Sequence, residues 1–471
     1  MQYLAGKILL ATSLAVSLAA CDMAPKYIRP APPVPAASPQ GPAYPVAVDG
    51  SAVSPADTAW QDFFVDPRLV RVIDTALGNN RDLRLAVANV EQARSQYRVQ
   101  RADLLPTVDG RAGGTFQKSP FGGAAGAAGR MDIYSASVGV SAWEVDLFGR
   151  VRNLTKAAQE QYFASVENRN AAQTALIAEV ATAWLTMAAD QERLRIARDL
   201  EGAFGKTLEL TRARFDRGIA SELEVRQAQT SYDQARSDIA QATTLVAMDQ
   251  NALNLLAGTT IGAADLPTAM PEGDVTIANL PAHLPSALLL RRPDIAAAEH
   301  DLRAANANIG AARAAFFPTI SLTAALGTLS QGLSGLFAGG SENWSVAPSA
   351  SVPIFDFGRN QGNLRFVRAR YDAMVATYEK SVQTGFREVA DALARRGTMS
   401  AQLEAQSSLR SSARVAYTLA QARFRAGIDP FLTTLDAQRT LYGAEQSLLA
   451  TRLTRATNMV ELYRAMGGGL R

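Results

Sequence analysis

Cysteine and histidine, the residues that most often bind transition metals, are scarce in this 471-residue sequence. There is one cysteine, Cys21, and there are two histidines, His283 and His300, so a His/Cys metal cluster is excluded. No G-x-S-x-G segment supports a nucleophilic triad. GAFGKT at Gly202 is not a phosphate-binding loop, because Leu200 replaces its first glycine and no strand precedes it. We expect neither a cofactor nor an enzyme.

Three residues near the end of the chain share one face of a predicted helix. Leu432, Asp436 and Arg439 stand at i, i+4 and i+7. The residues alone favour an ordinary Asp–Arg helix pair, which contributes roughly a few tenths of a kcal/mol.

The lone cysteine ends an N-terminal segment that is typical of an exported protein. Residues 1–20 contain Lys7, then an apolar stretch too short to span a bilayer, then small residues. LAAC, which ends at Cys21, resembles a lipobox, in which the leader is cut before the cysteine and the thiol carries lipid. The alternative is a plain secretory leader with an incidental cysteine. Asp22 follows, a residue that in enteric bacteria tends to hold lipoproteins in the inner membrane.

Composition favours long helices packed through small side chains. Hydrophobic residues make up 48% of the chain, but only 7% is aromatic and alanine is abundant. The formal charge is +3, and removal of a leader holding only Lys7 leaves 3 − 1 = +2. There is therefore no electrostatic case for nucleic acid. Nine of the 21 prolines fall between Pro25 and Pro55, so residues 21–57 are predicted to form an extended tether.

The rest of the chain contains an internal sequence duplication. DLRLAVANVEQARSQYRVQRADLLPTVD at Asp82 matches DIAAAEHDLRAANANIGAARAAFFPTIS at Asp294, an offset of 212 residues. DLFGR matches FDFGR, and RFDRGIASELEVRQAQ matches RFRAGIDPFLTTLDAQ, at an offset of 209. We predict a duplicated domain, with repeat 1 at 58–262, an equatorial segment at 263–290 and repeat 2 at 291–471.

Each repeat contains one long helical hairpin. Residues 150–217 and 359–425 lack proline and consist of good helix formers, which predicts two helices of about 100 Å each. Gly218 and Gly427 are predicted to end them in the left-handed conformation. Ser221 with Glu224 forms a capping box for the next helix of repeat 1. In repeat 2, Asp429 is the predicted N-cap and Pro430 the first helical residue.

Short alternating segments precede each long helix. YSASVGVSAW, TISLTAALG and WSVAPSASV place apolar residues on one face and small polar residues on the other. Segments of about ten residues of this kind are typical of a transmembrane β-barrel, but a soluble hairpin lying on the helices is an equal alternative. TVDGRAGGTFQ is a poorly patterned fourth strand, and Pro348 removes a ladder donor. Four strands cannot close a barrel, so strands that enter a membrane must be pooled by several chains.

These residues carry a family resemblance over nearly everything after Trp60. LPSALLLRRPDIAAAEHDLRAANANIGAARAAFFPTISLT, SVPIFDFGRN, ARFRAGIDPFLTTLDAQRTLYGAEQ and YRAMGGG resemble the TolC-like outer-membrane efflux proteins, in the lipoprotein branch that includes OprM and NodT. The resemblance implies a mixed α+β membrane protein that is mostly α. It implies a homotrimer whose twelve-stranded β-barrel, four strands per chain, continues as a long α-helical barrel with an equatorial mixed belt.

The resemblance also implies a function and its residues. It implies the outer-membrane duct of a tripartite, RND-type efflux pump, lipid-anchored at Cys21, extending into the periplasm and working with a periplasmic adaptor and an inner-membrane pump. Leu432, Asp436 and Arg439 match the gate of the branch, whereas Leu223, Gln227 and Thr230 stand at the aligned positions of repeat 1. By analogy the hairpin tips dock the adaptor through Arg214, Phe215, Gly218, Arg423, Phe424 and Gly427. The glycines are needed by the helix ends in any case, and the Arg/Phe pairs are open between packing and partner contact.

Two other functions remain open on the sequence alone. The first is the outer-membrane duct of a type I protein-secretion system, which would share the architecture. The second is a lipid-anchored coiled-coil scaffold in the periplasm without a pore, against which the alternating segments argue.

Overall fold

The computed structural model of the chain describes residues 22–36, 39–44, 58–118, 130–271, 273–277 and 286–468. The predicted signal peptide, Cys21 and His283 lie outside this range. The described residues form two compact units. The first takes its described residues from Met1–Ala31, Asn89–Val166 and Ala297–Glu379, and the second from Pro32–Ala88, Glu167–Ala296 and Lys380–Arg471.

The elements follow one another in two similar series. The helices are α1 (Trp60–Phe63), α2 (Pro67–Asn79), α3 (Arg81–Ala102), α4 (Arg150–Asp216), α5 (Glu222–Ala257), α6 (Pro293–Ala314), α7 (Arg359–Arg425) and α8 (Phe431–Ala465). The strands are β1 (Val108–Lys118), β2 (Arg130–Glu144), β3 (Thr319–Ser330) and β4 (Glu342–Ser351). Short 3₁₀ turns cover Ser286–Arg291 and Leu333–Gly335. Each series runs helix, strand pair, long helical hairpin, so the internal duplication is confirmed.

The two long helices are confirmed to within one residue. α4 and α7 each contain 67 residues, and each begins directly after a glycine with a positive φ, 76° at Gly149 and 82° at Gly358. An aspartate caps each start. The Asp146 carboxylate accepts the Arg152 N–H at 2.8 Å, and Asp356 accepts the Asn360 N–H at 2.9 Å. These bonds satisfy donors that have no partner within the helix.

The first unit contains a four-stranded antiparallel sheet in the order β1-β2-β3-β4. The glycine-rich TVDGRAGGTFQ segment forms β1 along the whole of its pairing with β2. Pro348 lies in β4, an edge strand of this sheet, where the missing donor is tolerated. β2 and β3 join the two repeats, and their register shifts between Val140 and Trp143, beside Ala142 with its φ of 50°.

Part of the predicted tether is a strap that packs on helix α6. Residues 22–31, the N-terminal strap, run antiparallel to α6. The carbonyls of Met23 and Pro25 accept from Arg313 and Asn306, at 3.2 and 2.9 Å. Arg29 donates to Glu299 at 2.9 Å. Gly310 makes room for the strap, because a Cβ there would lie 2.7 Å from the Ala24 nitrogen.

The core of the second unit combines aromatic stacking with a buried hydrogen bond. The Phe63 ring stacks on Tyr463 at 3.9 Å between centroids, and the Tyr463 hydroxyl donates to the Thr58 carbonyl at 2.7 Å. Two contacts attach the equatorial segment to this core. Thr276 forms an isolated antiparallel β-bridge with Phe64, and the Asp265 carbonyl accepts a hydrogen bond from the buried Trp184 indole. Among the described residues, no helix is both long enough and apolar enough to cross a membrane.

Candidate gate and docking tip

Both hairpin turns have the same hydrogen-bonded ending, which explains why the turn phrase occurs twice. In repeat 1 the N–H of Gly218 donates to Phe215 O at 2.8 Å and that of Ile219 to Arg214 O at 2.9 Å. In repeat 2 Gly427 and Ile428 make the corresponding bonds to Phe424 and Arg423, both at 3.0 Å. This pair of bonds is the Schellman motif, and it requires the left-handed residue that both glycines supply, with φ of 74° and 73°.

The helix that follows each turn begins differently. Ser221 caps α5 as predicted, since its hydroxyl accepts the Glu224 N–H at 3.3 Å. The prediction for repeat 2 was wrong by one residue: Pro430 is the N-cap of α8, which begins at Phe431. The Asp429 carboxylate instead binds the Arg423 guanidinium at 2.7 and 2.8 Å. That bidentate contact holds the pKa of Asp429 below its usual range.

A shared apolar cluster packs the two hairpins together beside their turns. It consists of Leu208 on α4, Ala228 on α5, Phe424 on α7, and Phe431 and Leu435 on α8. The Arg214 guanidinium lies 4.7 Å from the Phe424 ring centroid and adds a cation–π contact between the hairpins. Phe424 is buried, and Arg214 and Arg423 both have partners within the chain.

A different set of side chains at the turns is free to meet a partner. Phe215 is exposed, and a side chain at Gly218 or Gly427 would meet nothing within 4 Å. Ile219 and Ile428 are 64% and 63% exposed, although each follows the glycine of its turn, where a hydrophobic residue usually packs on the helix. These isoleucines were not among the predicted docking residues. The Gly-Ile pair that recurs in both turn phrases was the signal that could have identified them.

The three predicted gate residues lie together on the exposed face of α8. Leu432 is more than half exposed, and Asp436 and Arg439 are exposed one and two turns further on. Among the described residues, Asp436 and Arg439 form no ion pair with each other or with a third group. The isolated chain therefore does not form the Asp436–Arg439 helix pair that the residues alone favoured.

The same exposed face continues along α8 with small residues. At the 3–4 spacing of one helix face, the next exposed positions are Gly443, Ser447, Ala450 and Thr454. Bulk and charge are thus concentrated beside the turn. In repeat 1 the aligned Leu223 and Thr230 are exposed and Gln227 is half-buried, so that hairpin presents no charge there.

Polar contacts behind this face hold α8 against the first hairpin. The Tyr442 hydroxyl donates to Asp238 on α5 at 2.8 Å, and burial together with this carboxylate raises the pKa of Tyr442 to about 12. Arg193 on α4 donates to Gln446 at 3.3 Å and also pairs with the buried Asp190. Burial, and then the neighbouring Asp190, raise the pKa of Asp249 on α5 to about 6.

The described residues contain no group of three or more His, Cys, Asp or Glu side chains that could hold a metal ion. His300 is occupied structurally, with Nδ1 at 2.7 Å from a Glu160 oxygen. GAFGKT lies inside α4, where no strand precedes it. The geometry therefore offers exposed apolar turns and a polar helix face.

Comparisons with known proteins agree on one family. The sequence model described as outer membrane efflux protein matches residues 72–259 and again 284–468. The chain is 46% identical over 461 residues to the toluene efflux pump outer membrane protein TtgC of Pseudomonas putida, covering 97% of this chain and 95% of that protein. It is 42% identical to outer membrane protein OprJ of Pseudomonas aeruginosa over 97% of this chain and 94% of OprJ.

Solved structures show the same fold. The open state of the Neisseria gonorrhoeae MtrE outer membrane channel superposes with a TM-score of 0.86 at 39% identity, covering 96% of this chain and 99% of MtrE. A Pseudomonas aeruginosa membrane protein gives 0.89 at 40% identity, covering 95% of this chain and 98% of that one.

The Asp190–Asp249 contact predicts how stability depends on pH. A carboxyl whose pKa is raised on folding adds stability in its protonated form. That contribution is complete below about pH 4 and is lost as the pH rises through about 6. We expect Asp249→Asn to raise the free energy of unfolding at pH 7 by on the order of 1 kcal/mol after solvent screening. The thermal midpoint of this variant should change less between pH 4 and 7 than that of the wild type.

Thermal unfolding in detergent across this pH range measures the effect. Asp233→Asn removes an acidic charge from the exposed side of the same helix and controls for net charge. If Asp249→Asn and wild type show parallel pH profiles, the two carboxyls do not interact as described.

Proposed function

Because the chain belongs to the outer membrane efflux protein family, we propose that it is the passive exit duct of a tripartite efflux pump, gated where its hairpins turn. Three copies would pool their strands into a membrane barrel and line a periplasmic tunnel with their long helices. A periplasmic adaptor and an RND-type inner-membrane pump would supply the substrate and the energy. The observation that carries this proposal is the exposed face of α8, which is bulky and charged only beside the turn.

The exposed face of α8 suggests how the tunnel could be narrowed at one end. Around a threefold axis, Leu432 gives an apolar plug, and Asp436 and Arg439 give rings of opposite charge. Gly443 and Ser447 leave the tunnel wider beyond them. A ring of carboxylates at a constriction favours cations and hinders anions. The Tyr442–Asp238 and Arg193–Gln446 contacts would hold α8 against the first hairpin in the narrow state.

Single-channel recordings in planar bilayers test the gate. Asp436→Ala shortens the side chain and removes three charges from the constriction, so we expect a higher conductance and a weaker cation preference. Asp436→Asn keeps the size, so it should weaken the cation preference with little change in conductance. Gln227→Ala, at the aligned position of repeat 1, is the matched control. Unchanged currents in Asp436→Ala would remove Asp436 from the gate.

The turns are the proposed docking surface for the adaptor. Phe215, Ile219 and Ile428 are apolar and exposed at the ends of the hairpins, where two Schellman motifs hold the backbone in one conformation. Of the residues assigned by resemblance, Gly218 and Gly427 suit close approach of a partner backbone. Phe424, Arg214 and Arg423 act by packing and pairing that keep the turns in place.

Ile428→Asp tests the docking surface. A carboxylate buried against an apolar partner loses its hydration, so we expect binding of the pump's periplasmic adaptor to weaken by at least about tenfold. Val415→Asp, at an exposed apolar position on α7 away from the turn, should not weaken it. Titration of the purified adaptor against both variants measures the difference. Equal affinities would exclude Ile428 from the interface.

We further propose that Cys21 carries the lipid anchor. The LAAC segment supports this, and so does the strap. Asp22 accepts a hydrogen bond of 2.8 Å from Asn153, so the residue after the cysteine is fixed to the start of α4. Asp22 therefore has a partner within the folded protein.

Metabolic labelling with palmitate tests the anchor. Cys21→Ser should abolish incorporation completely, because Cys21 is the sole cysteine of the chain. Asp22→Asn, which keeps the cysteine, should retain it. Label that persists in Cys21→Ser would show that the cysteine is incidental.

A further inference from the structure

A cavity lies between the two hairpins, where α4, α5 and α8 of the second unit meet. Its volume is about 150 Å³. Ala197, Leu200 and Phe204 of α4 stand at i, i+3 and i+7 and form one wall together with Ala235 of α5. All four side chains are buried. Because an apolar cavity of this volume admits benzene in another protein, the space here can hold one aromatic ring.

One buried hydroxyl in this cavity lacks a hydrogen-bond partner. Ser231 of α5 lines the cavity and is only 6% exposed, but its Oγ has no partner among the described residues. The neighbouring Thr230 hydroxyl, by contrast, donates to the Arg226 carbonyl four residues earlier. Buried hydroxyls in folded proteins nearly always have a partner. The Ser231 hydroxyl is therefore available to a ligand in the cavity.

The exposed side of the cavity carries a guanidinium without a carboxylate partner. Arg439 lines the cavity from α8 and forms no ion pair with any residue that the structure describes. Asp238 lines it as well, but its Oδ1 accepts from the Gln234 amide and its Oδ2 from the Tyr442 hydroxyl, both at 2.8 Å. The two groups that lack partners are thus hydrogen-bond donors, and one of them is a cation. They suit a ligand with an anionic acceptor as its head group.

The corresponding place in repeat 2 is filled by side chains. Adding 209 to Phe204 gives Ala413, and adding 209 to Ala235 gives Ala444. Both alanines belong to one buried cluster, which Leu441 completes. The same helix arrangement can therefore be packed closely, so the cavity in repeat 1 is a property of the side chains there and not of the hairpin fold.

We propose that this cavity binds a small aromatic carboxylate and that the bound molecule holds α8 against the first hairpin. The ring packs on the wall formed by Leu200 and Phe204, and the carboxylate accepts hydrogen bonds from Arg439 and Ser231. Because the ligand contacts both hairpins at once, it stabilises only the arrangement in which they are packed together.

Benzoate and benzylammonium, which share a ring and carry opposite charges, test the ligand class. We expect benzoate to bind the purified full-length protein in detergent with a Kd on the order of 1 mM, and benzylammonium at least about tenfold more weakly. Ligand-observed NMR titrations measure both, with empty micelles as the blank. Equal affinities for the two ions, or no binding of benzoate, would overturn the proposal.

Two variants test whether the cavity is the place of binding. Ser231→Leu fills the cavity and should abolish benzoate binding, whereas Arg439→Gln leaves the cavity open and should weaken binding by at least about tenfold. Arg236→Gln removes the same charge from an exposed position of α5 and should bind benzoate like the wild type. Thermal midpoints check that each variant is folded. Should Ser231→Leu not fold, unchanged affinity in Arg439→Gln is sufficient to overturn the site.

The effect on the gate rests on the proposed function, whereas binding does not. If only the packed arrangement binds, benzoate at ten times its Kd should raise the ratio of closed to open time in planar bilayers by at least about tenfold. Ser231→Leu channels should not respond, which distinguishes this effect from an anion that blocks the pore at Arg439. Benzoate binding without a change in this ratio would overturn the stabilisation of the packed arrangement. Benzoate binding to a protein that forms no channel would overturn the proposed function and leave the site.

Discussion

An open sheet edge cannot be left in a lipid bilayer, and this constraint governs the design of the protein. Each unpaired N–H or C=O costs several kcal/mol, roughly, in a medium without water. The described residues of one chain form a sheet of four strands, too few to close a barrel. Several copies of the chain must therefore pool their strands to close a barrel in the membrane.

The long helices pack through a mixture of small and large apolar side chains. α4 and α7 run for 67 residues without a proline, and their buried positions combine alanines with large side chains such as Trp184 and Tyr378. The alanines let the helices approach closely with little loss of side-chain freedom. Packing of this kind fixes the distance between helices but not where they end. The Schellman turns and aspartate caps do that, which keeps the two hairpins of equal length and their turns side by side.

The buried charged side chains of the second unit have partners, and polar contacts join the helices behind the exposed face of α8. Arg292 is buried, but its guanidinium donates hydrogen bonds to Asp294, Glu388 and the Ala465 carbonyl. The Arg193–Gln446 and Tyr442–Asp238 contacts join helices of different repeats. A duct that moves solutes passively needs walls that hold their spacing, and polar contacts between helices hold it while leaving the exposed face to small residues and one charged band.

The sequence by itself determined the duplication, the long helices, the turn glycines and the strand count, because each depends on local propensity or on spacing along the chain. It also predicted the face of Leu432, Asp436 and Arg439. Only the tertiary structure decided which tip residues are free. Phe424 and Phe215 look equivalent in the repeated phrase, but one is buried between hairpins and the other exposed. The Asp429 carboxylate binds Arg423 instead of capping α8, and the N-terminal strap packs on α6. Those outcomes depend on contacts between residues distant in sequence, which local patterns do not encode.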